Sequence, residues 1–140
     1  MKIFQSDKWV YYSVDNFVAF DNDNFGKWMF FFNNVTYAEQ ICRLAVQSGV
    51  CKRAKHANDA GGICGFYTNA DDIATHETIL RFMLSNNLIR KTKSGKYFDI
   101  SFKYEEENPD NTARTPLKLS DFVDLESGQF KPVYIQQRIC

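Results

Sequence analysis

The sequence predicts an α+β domain with a curved, mostly antiparallel β-sheet and helices packed on one face of it. Two amphipathic helical stretches alternate with segments rich in aromatic and β-branched residues. Turn residues separate neighbouring strands, and residues 98–104 alternate apolar and polar side chains, which is typical of a strand with one buried face. We therefore expect the order strand, strand, helix, hairpin, helix, hairpin and tail.

Length and composition favour a single core. The chain has 140 residues, of which 44% are hydrophobic and 16% aromatic, and this apolar content requires a packed interior. We expect one domain over residues 1–140, with its core at 8–104, an acidic loop at 105–112 and a C-terminal extension at 113–140.

The charge balance and the cysteines exclude several classes of protein. The 17 basic and 17 acidic side chains cancel, so there is no global positive field of the kind that drives nonspecific nucleic-acid binding. No apolar run has the length of a membrane span and no secretion signal is recognisable, which predicts a cytoplasmic protein without a membrane partner. Cys42, Cys51, Cys64 and Cys140 match no zinc spacing, so we expect reduced thiols, no metal and no cofactor.

The strands are predicted from short apolar segments and the turns that bound them. Residues 9–14 form a first strand, and residues 26–32 form a central strand buried on both faces. Residues 50–57 and 63–67 form a hairpin, as do residues 88–91 and 97–104. Ser120 caps a short turn within residues 117–125, and Phe130 with residues 133–135 offers a last strand.

Capping signals place the two helices. Thr36 and Glu39 have the spacing of a capping box, and Gly49 stands where a left-handed C-terminal residue is needed. The second helix has Thr75 or Asn69 as a candidate cap, ends at Asn86 and Asn87, and is charged at its start by Asp71 and Asp72. The expected buried stripes are Tyr37, Ile41, Leu44, Ala45 and Ser48 in the first helix, and Ile79, Leu80, Met83 and Leu84 in the second.

Four short motifs carry a resemblance to a known family. They are Gly-Lys-Trp at 26–28, Ala-Lys-His at 54–56, Ile-Cys-Gly-Phe-Tyr-Thr at 63–68 and Phe-Lys-Tyr-Glu at 102–105. Together they resemble the family of the basophilic leukaemia expressed protein, although Tyr37 stands where that family would have a tryptophan. The resemblance implies the fold of the messenger-RNA cap-binding initiation factor, and some family members carry a phosphothreonine lyase label.

The candidate ligand-binding residues are basic and aromatic. Lys27, Lys55 and Lys103 each lie within a motif, and Arg114 follows the acidic loop. If their strands are neighbours, these cations converge on a phosphate; the alternative is that they are solvated surface lysines. Trp9 is a candidate for stacking on a nucleotide base, whereas Trp28 lies in an apolar strand that suits the core better.

Three functions are compatible with these residues. The leading hypothesis is a binding module for a phosphorylated small molecule, a nucleotide or a phosphopeptide. The second, implied by the resemblance, is a phosphothreonine lyase with Lys55 or Lys27 as base and His56 as acid. The third is a protein-binding accessory factor of a phage or mobile element that acts through residues 105–110.

Other polar features have simpler explanations. The basic runs at 52–56 and 90–96 could flank a nucleic acid, but overall neutrality argues against one as the main partner. His56 beside a turn is more typical of a surface histidine than of a catalytic one. We expect His76, in the first turn of the second helix, to face solvent.

Overall fold

The computed structural model describes residues 1–21, 24–59, 61–105 and 117–132. Within these ranges the chain forms six strands and three helices. The strands are β1 (Lys2–Gln5), β2 (Trp9–Ser13), β3 (Phe25–Phe31), β4 (Arg53–Ala57), β5 (Ile63–Asn69) and β6 (Lys103–Tyr104). The helices are α1 (Val35–Gln47), α2 (Ile73–Ser85) and α3 (Leu119–Phe122).

The six strands form one antiparallel sheet in the order β1-β2-β4-β5-β3-β6. The predicted hairpin of β4 and β5 is confirmed, with Arg53 opposite Tyr67 and His56 opposite Cys64. β3 is fifth in the order, so the prediction of a central strand was wrong. β6 reaches only the residues opposite Gly26 and Lys27, which leaves the rest of that edge of β3 without a described strand beside it.

The helices cover one face of the sheet. Side chains alternate between faces along a strand, and residues directly opposite one another share a face, so Trp28 and Phe66 lie on the same side as Phe30 and Cys64. The thiol of Cys42 in α1 lies 3.4 Å from that of Cys64, and the Trp28 indole contacts His76 in α2. The predicted α+β architecture is therefore confirmed as a six-stranded antiparallel sheet with helices packed against it.

α1 begins before the predicted capping box. Asn34 is the N-cap, and its side chain accepts a 3.2 Å hydrogen bond from the backbone N–H of Tyr37. Glu39 instead pairs with Arg43 at 3.1 Å, so the box predicted at Thr36 and Glu39 was wrong. The C-terminal glycine is confirmed, since Gly49 has a φ of 81°. The buried side chains are Ala38, Ile41, Cys42, Ala45 and Val46, whereas the predicted core residues Tyr37 and Leu44 are exposed.

α2 is capped by an acidic residue. The carboxylate of Asp72 accepts hydrogen bonds from the backbone N–H of Thr75 at 3.1 Å and from its hydroxyl at 2.7 Å. The prediction of Thr75 or Asn69 as the cap was therefore wrong. Ile79, Leu80 and Met83 are buried as expected. The end of the helix is also as predicted, with Asn86 as C-cap and Asn87 at a φ of 57°.

The predicted second hairpin is mostly irregular. A single bridge joins Lys91 to Tyr97, and within the alternating segment only β6 joins the sheet. Phe102 is buried, but Phe98 is 48% exposed. Ser120 does not cap α3, since Lys118 holds that position and Ser120 donates to Asp99.

The buried core continues beyond residue 104. Leu117, Leu119, Phe122 and Val123 belong to it. Phe130 forms a single bridge with Val123, and residues 133–135 of the predicted last strand lie outside the described residues. So do residues 106–112 of the predicted acidic loop, Arg114 and Cys140. None of the helices found in the described ranges is long and apolar enough to cross a membrane.

Candidate functional site

A cluster of cationic and aromatic side chains occupies the face of the sheet turned away from α1 and α2, which we call the distal face. Strand register assembles it, because Arg53 is opposite Tyr67, Tyr67 is opposite Lys27, and Lys27 is opposite Lys103. These four residues form one row across β4, β5, β3 and β6. Directly opposed residues have Cβ atoms about 5 Å apart. We define the cationic cluster as Trp9, Tyr11, Lys27, Arg53, Lys55, Tyr67 and Glu105.

Lys55 lies at the centre of the cationic cluster and is only 7% exposed. Its Nζ lies 4.0 Å from the centre of the Trp9 ring and 5.7 Å from the centres of the Tyr11 and Tyr67 rings. No carboxylate of the described residues forms a salt bridge with it. The described groups in direct contact with the ammonium are therefore aromatic faces, which attract cations through their ring quadrupoles.

Burial, together with the positive charges of Lys27 and Arg53, lowers the pKa of Lys55 to about 8, although the negative charge of Glu105 acts in the opposite direction. A fraction of the Lys55 side chains is therefore neutral near neutral pH. Perturbation by burial and by specific charged neighbours is typical of functional lysines.

Lys27 is equally buried but has a carboxylate partner. Its Nζ donates to Oε1 of Glu105 at 2.5 Å, and it lies 5.6 Å from the centre of the Tyr67 ring. The neighbouring strand makes room for its aliphatic stem at Gly65, where a Cβ would come within 2.8 Å of Cδ of Lys27. A side chain at position 65 would therefore displace Lys27.

Glu105 is the acidic member of the cluster. Burial raises its pKa, but the hydrogen bond and charge of Lys27, the charge of Lys55 and the hydrogen bond from Tyr67 outweigh burial, so the pKa of this carboxyl lies below its usual range. Tyr67 responds in the opposite sense, because burial and then the negative charge of Glu105 raise the pKa of its phenol. At neutral pH, Glu105 is an anion and Tyr67 a neutral donor.

Arg53 has an unused hydrogen-bond donor. Its guanidinium lies 4.4 Å from the centre of the Tyr11 ring and 5.6 Å from that of Phe17. Its Nε is buried, and it has no hydrogen-bond partner among the described residues. A buried donor without a partner costs free energy, which an incoming acceptor would recover.

The cationic cluster has the chemistry of an anion-binding site. Three cations, Lys27, Arg53 and Lys55, face one carboxylate, Glu105, so the fully protonated cluster has an excess of two positive charges. Phe20, whose ring centre lies 6.0 Å from that of Tyr67, flanks the cluster, and Lys27, Lys55 and Tyr67 are buried. In such surroundings charges interact more strongly than in bulk water. No group of three or more metal-ligating side chains occurs among the described residues.

The structure separates His56 from Lys55. His56 points to the helix-covered face and is 2% exposed, with Nε2 3.0 Å from the Tyr12 hydroxyl and Nδ1 2.9 Å from the Ala57 carbonyl. The prediction of His56 as a surface residue was wrong, since it is buried. It does not share a face with Lys55, because adjacent residues of a strand point to opposite faces.

The other sequence candidates that the structure describes lie away from the cationic cluster or at its margin. Lys103 is on the distal face opposite Lys27, but it is exposed, and Arg114 lies outside the described residues. His76 is completely buried rather than solvent-facing. Trp28 is buried in the core, as its apolar strand suggested.

Sequence reasoning missed four members of the cationic cluster. They are Tyr11, Arg53, Tyr67 and Glu105. Period-two spacing was the available signal, because Arg53 precedes Lys55 by two residues and Tyr11 follows Trp9 by two, so each pair shares a face. Glu105 has the same spacing, since it follows Lys103 by two residues, but its acidic neighbours favoured a solvated loop.

No family model, curated protein or solved structure matches this chain. The family resemblance thus rests on the four short motifs. Each of them contributes to the cationic cluster: Lys27 from the first, Lys55 from the second, Tyr67 from the third and Glu105 from the fourth.

Proposed function

We propose that the chain is a small cytoplasmic binding module that recognises a phosphorylated ligand, either a nucleotide or a phosphopeptide, on the distal face. The observation that carries this proposal is the buried ammonium of Lys55, which has no carboxylate partner among the described residues. A buried charge without a direct ion-pair partner is costly, and a phosphate dianion would supply that partner.

The cationic cluster offers complementary contacts to such a ligand. The unused Nε–H of Arg53 would donate to one phosphate oxygen, and the Lys55 ammonium would act as a point charge beside it. Because a neighbouring dianion favours the protonated amine, binding would raise the pKa of Lys55 and take up protons near pH 8. Lys27 would contribute to the extent that the ligand competes with Glu105.

The fold proposal is the cap-binding initiation factor fold, a curved sheet backed by helices, as the family resemblance implies. The aromatic members of the cluster are consistent with it. Trp9 is incompletely buried and lies beside the Lys55 ammonium, so it is the candidate for stacking on a nucleotide base. A phosphopeptide would use the same cations without the stacking contact.

Calorimetric titration would test the phosphate proposal. The ligands are AMP, GMP and a phosphothreonine peptide, each compared with its unphosphorylated counterpart. We expect saturable binding of a phosphorylated form, and a loss of at least about tenfold in affinity when Lys27, Arg53 and Lys55 are all changed to alanine. The matched control replaces three exposed lysines outside the cluster, Lys8, Lys52 and Lys93, and should bind as the wild type does.

Two results would overturn the proposal. One is equally weak binding by the wild type and the cluster variant, and the other is an equal loss in the control variant. The single variant Lys55→Met, measured together with its circular dichroism spectrum, separates loss of binding from loss of folding.

The lowered pKa of Lys55 favours a phosphothreonine lyase as a second candidate. The neutral amine would take the proton from the α-carbon, a double bond would form to the β-carbon, and the bond to the phosphate oxygen would break as phosphate leaves. His56 points to the other face, so this candidate mechanism gives it no role as the acid. Mass spectrometry of a phosphothreonine peptide incubated with the protein would detect the unsaturated product, and its absence would exclude this activity.

A further inference from the structure

One edge of β3 has backbone groups that no described strand uses. The N–H of Phe32 donates to the Gly62 carbonyl at 3.1 Å, and the Phe32 carbonyl accepts from Gly61 at 3.0 Å, so Phe32 directs its backbone groups towards the β5 side. Backbone groups alternate along an antiparallel strand, and those of Met29 and Phe31 therefore point to the opposite edge.

β6 does not reach these two residues. It pairs with β3 only opposite Gly26 and Lys27, and Phe25 accepts from the N–H of Glu105 beyond that pair. Across the described residues no backbone hydrogen bond joins the outward groups of Met29 or Phe31. A sheet edge with unused donors and acceptors is a template for another strand.

A cavity of about 490 Å³ lies along this same edge. Its lining includes Met29, Phe30 and Phe31, whose side chains alternate between the two faces of the sheet, so the cavity must wrap around the edge of β3. Leu88, Ile89 and Ile100 also line the cavity. The volume is within the range of ligand-binding pockets in proteins.

The lining combines apolar and positively charged groups. Phe31 is 60% exposed and Phe98 is 48% exposed, which is unusual for large apolar side chains that border one cavity. Arg90 and Lys103 line the cavity and are exposed, and neither forms a salt bridge with a described residue. Asp99 also lines it, but its carboxylate accepts two 2.7 Å hydrogen bonds from Ser120. An acidic group on a ligand would therefore meet two available cations.

We propose that this edge binds an extended peptide segment as an additional antiparallel strand. The backbone of the peptide pairs with Met29 and Phe31, its alternate apolar side chains enter the cavity, and an acidic side chain meets Arg90 and Lys103. Main-chain pairing supplies affinity in this mode of recognition, and the pockets for alternate side chains supply specificity. The site is separate from the cationic cluster, and it does not depend on the phosphate proposal.

The test uses the peptide acetyl-Glu-Val-Thr-Val-Thr-Val-Thr-amide and two derivatives N-methylated at alternate positions. Only one set of its N–H groups can face β3, so one derivative should bind like the parent and the other should not bind. In the protein, the amide hydrogens of Met29 and Phe31 should become protected from exchange when the parent peptide is added. Nuclear magnetic resonance reports both results on the intact chain.

Substitutions in the protein would show where the peptide binds. Phe98→Ala should weaken binding by about tenfold through loss of apolar contact. Arg90→Glu should also weaken it, and should favour a peptide with lysine in place of glutamate. Phe4→Ala is the matched control, because Phe4 is an exposed aromatic on β1 at the opposite end of the sheet, and it should change nothing.

Four results would overturn the proposal. They are no binding of the parent peptide, equal binding of both methylated derivatives, protection at Ile3 and Phe4 instead of β3, and slow exchange of Met29 and Phe31 before any peptide is added. The last result would mean that another part of the chain or a second copy already pairs with this edge.

Discussion

The indole N–H of Trp28 donates a 2.9 Å hydrogen bond to Nδ1 of His76, and this bond joins β3 to α2 inside the core. An indole nitrogen can only donate, so Nδ1 must be the acceptor and the imidazole hydrogen must be on Nε2. Nε2 lies 2.8 Å from the carbonyl of Ala70 and donates to it. The ring of His76 is therefore a neutral tautomer that links a strand, a helix and the turn between them.

Trp28→Phe should destabilise the protein by about 2–4 kcal/mol, since it removes indole volume and leaves Nδ1 of His76 without its donor. Chemical denaturation would measure the loss. Trp9→Phe is the control: Trp9 is partly exposed, so the cost should be below about 1 kcal/mol. Equal costs for the two variants would contradict the role assigned to the bond with His76.

Lys55→Met should stabilise the protein at pH 7 by up to about 3 kcal/mol. The pKa of Lys55 falls from 10.5 in the unfolded chain to about 8 in the folded one, and a tenfold change in proton affinity corresponds to about 1.4 kcal/mol. Loss of the contact between Lys55 and the Trp9 ring would offset about 1 kcal/mol of this gain. The variant should nevertheless lose the affinity of the wild type for phosphorylated ligands.

The pH dependence of this difference has a definite sign. Below pH 8 both folded and unfolded chains carry the Lys55 proton, and the folded chain bears the full cost of burying the charge. Between pH 8 and 10.5 the unfolded chain binds more protons, so the free energy of unfolding of the wild type rises with pH relative to the variant. Denaturation midpoints of the two proteins should therefore converge as the pH is raised from neutral towards 10.5. A gap that widened with pH would contradict a lowered pKa at Lys55.

Glu105→Gln should raise the affinity for inorganic phosphate or AMP by about tenfold, because the ligand would no longer compete with a carboxylate for Lys27. The same change should destabilise the free protein by about 1–3 kcal/mol, since it leaves the buried Lys27 ammonium without a counter-charge. Calorimetry and thermal denaturation with and without phosphate measure both effects. Weaker phosphate binding by this variant would show that Glu105 supports the site instead of competing for it.

Because the pKa of Glu105 is lowered in the folded state, its contribution to stability is present above the unfolded value and is lost as the pH falls through the folded value. Glu105→Gln has no carboxyl at this position, so it should not show this decrease in stability at low pH. Its acid denaturation curve should therefore lie closer to that of the wild type at low pH than at neutral pH.

Substitution of the N-cap residues should distinguish the observed first residues of the helices from the predicted ones. Asn34→Ala and Asp72→Ala should each cost about 1 kcal/mol, since each removes an acceptor for a backbone N–H in the first turn. Thr36→Ala should cost less than about 0.5 kcal/mol because Asn34 already caps α1. A larger loss of stability for Thr36→Ala than for Asn34→Ala would support the capping box predicted at Thr36 and Glu39.

Local patterns were sufficient for the parts of the fold that local chemistry determines. Gly49 and Asn87 were identified as helix ends, and both adopt positive φ angles. The start of α1 was misplaced because two overlapping caps fit the sequence, and only Asn34 lies where the helix begins. β1 was not predicted, since all four of its residues are exposed and carry no burial pattern.

The features that the sequence did not predict depend on contacts between residues far apart in the chain. His56 and His76 bond to Tyr12 and Trp28, which lie 44 and 48 positions away, and nothing beside either histidine indicates such a partner. The lysines of the candidate site were identifiable because they lie in short motifs. Arg53 has period-two spacing with Lys55 and Tyr67 lies in the third motif, but only the register of β4 and β5 shows that these two residues lie opposite each other.

The separation of Lys55 from His56 by the plane of the sheet also makes the protein suitable for directed evolution. Positions 9, 11, 53, 55 and 67 present side chains to the distal face, while positions 10, 12, 54, 56 and 66 hold the interior. A combinatorial library confined to the first set would diversify ligand chemistry without altering the volume of the interior. Ligand chemistry can thus be varied along these three strands without repacking the helix-covered core, while substitutions at the buried positions 55 and 67 also change stability.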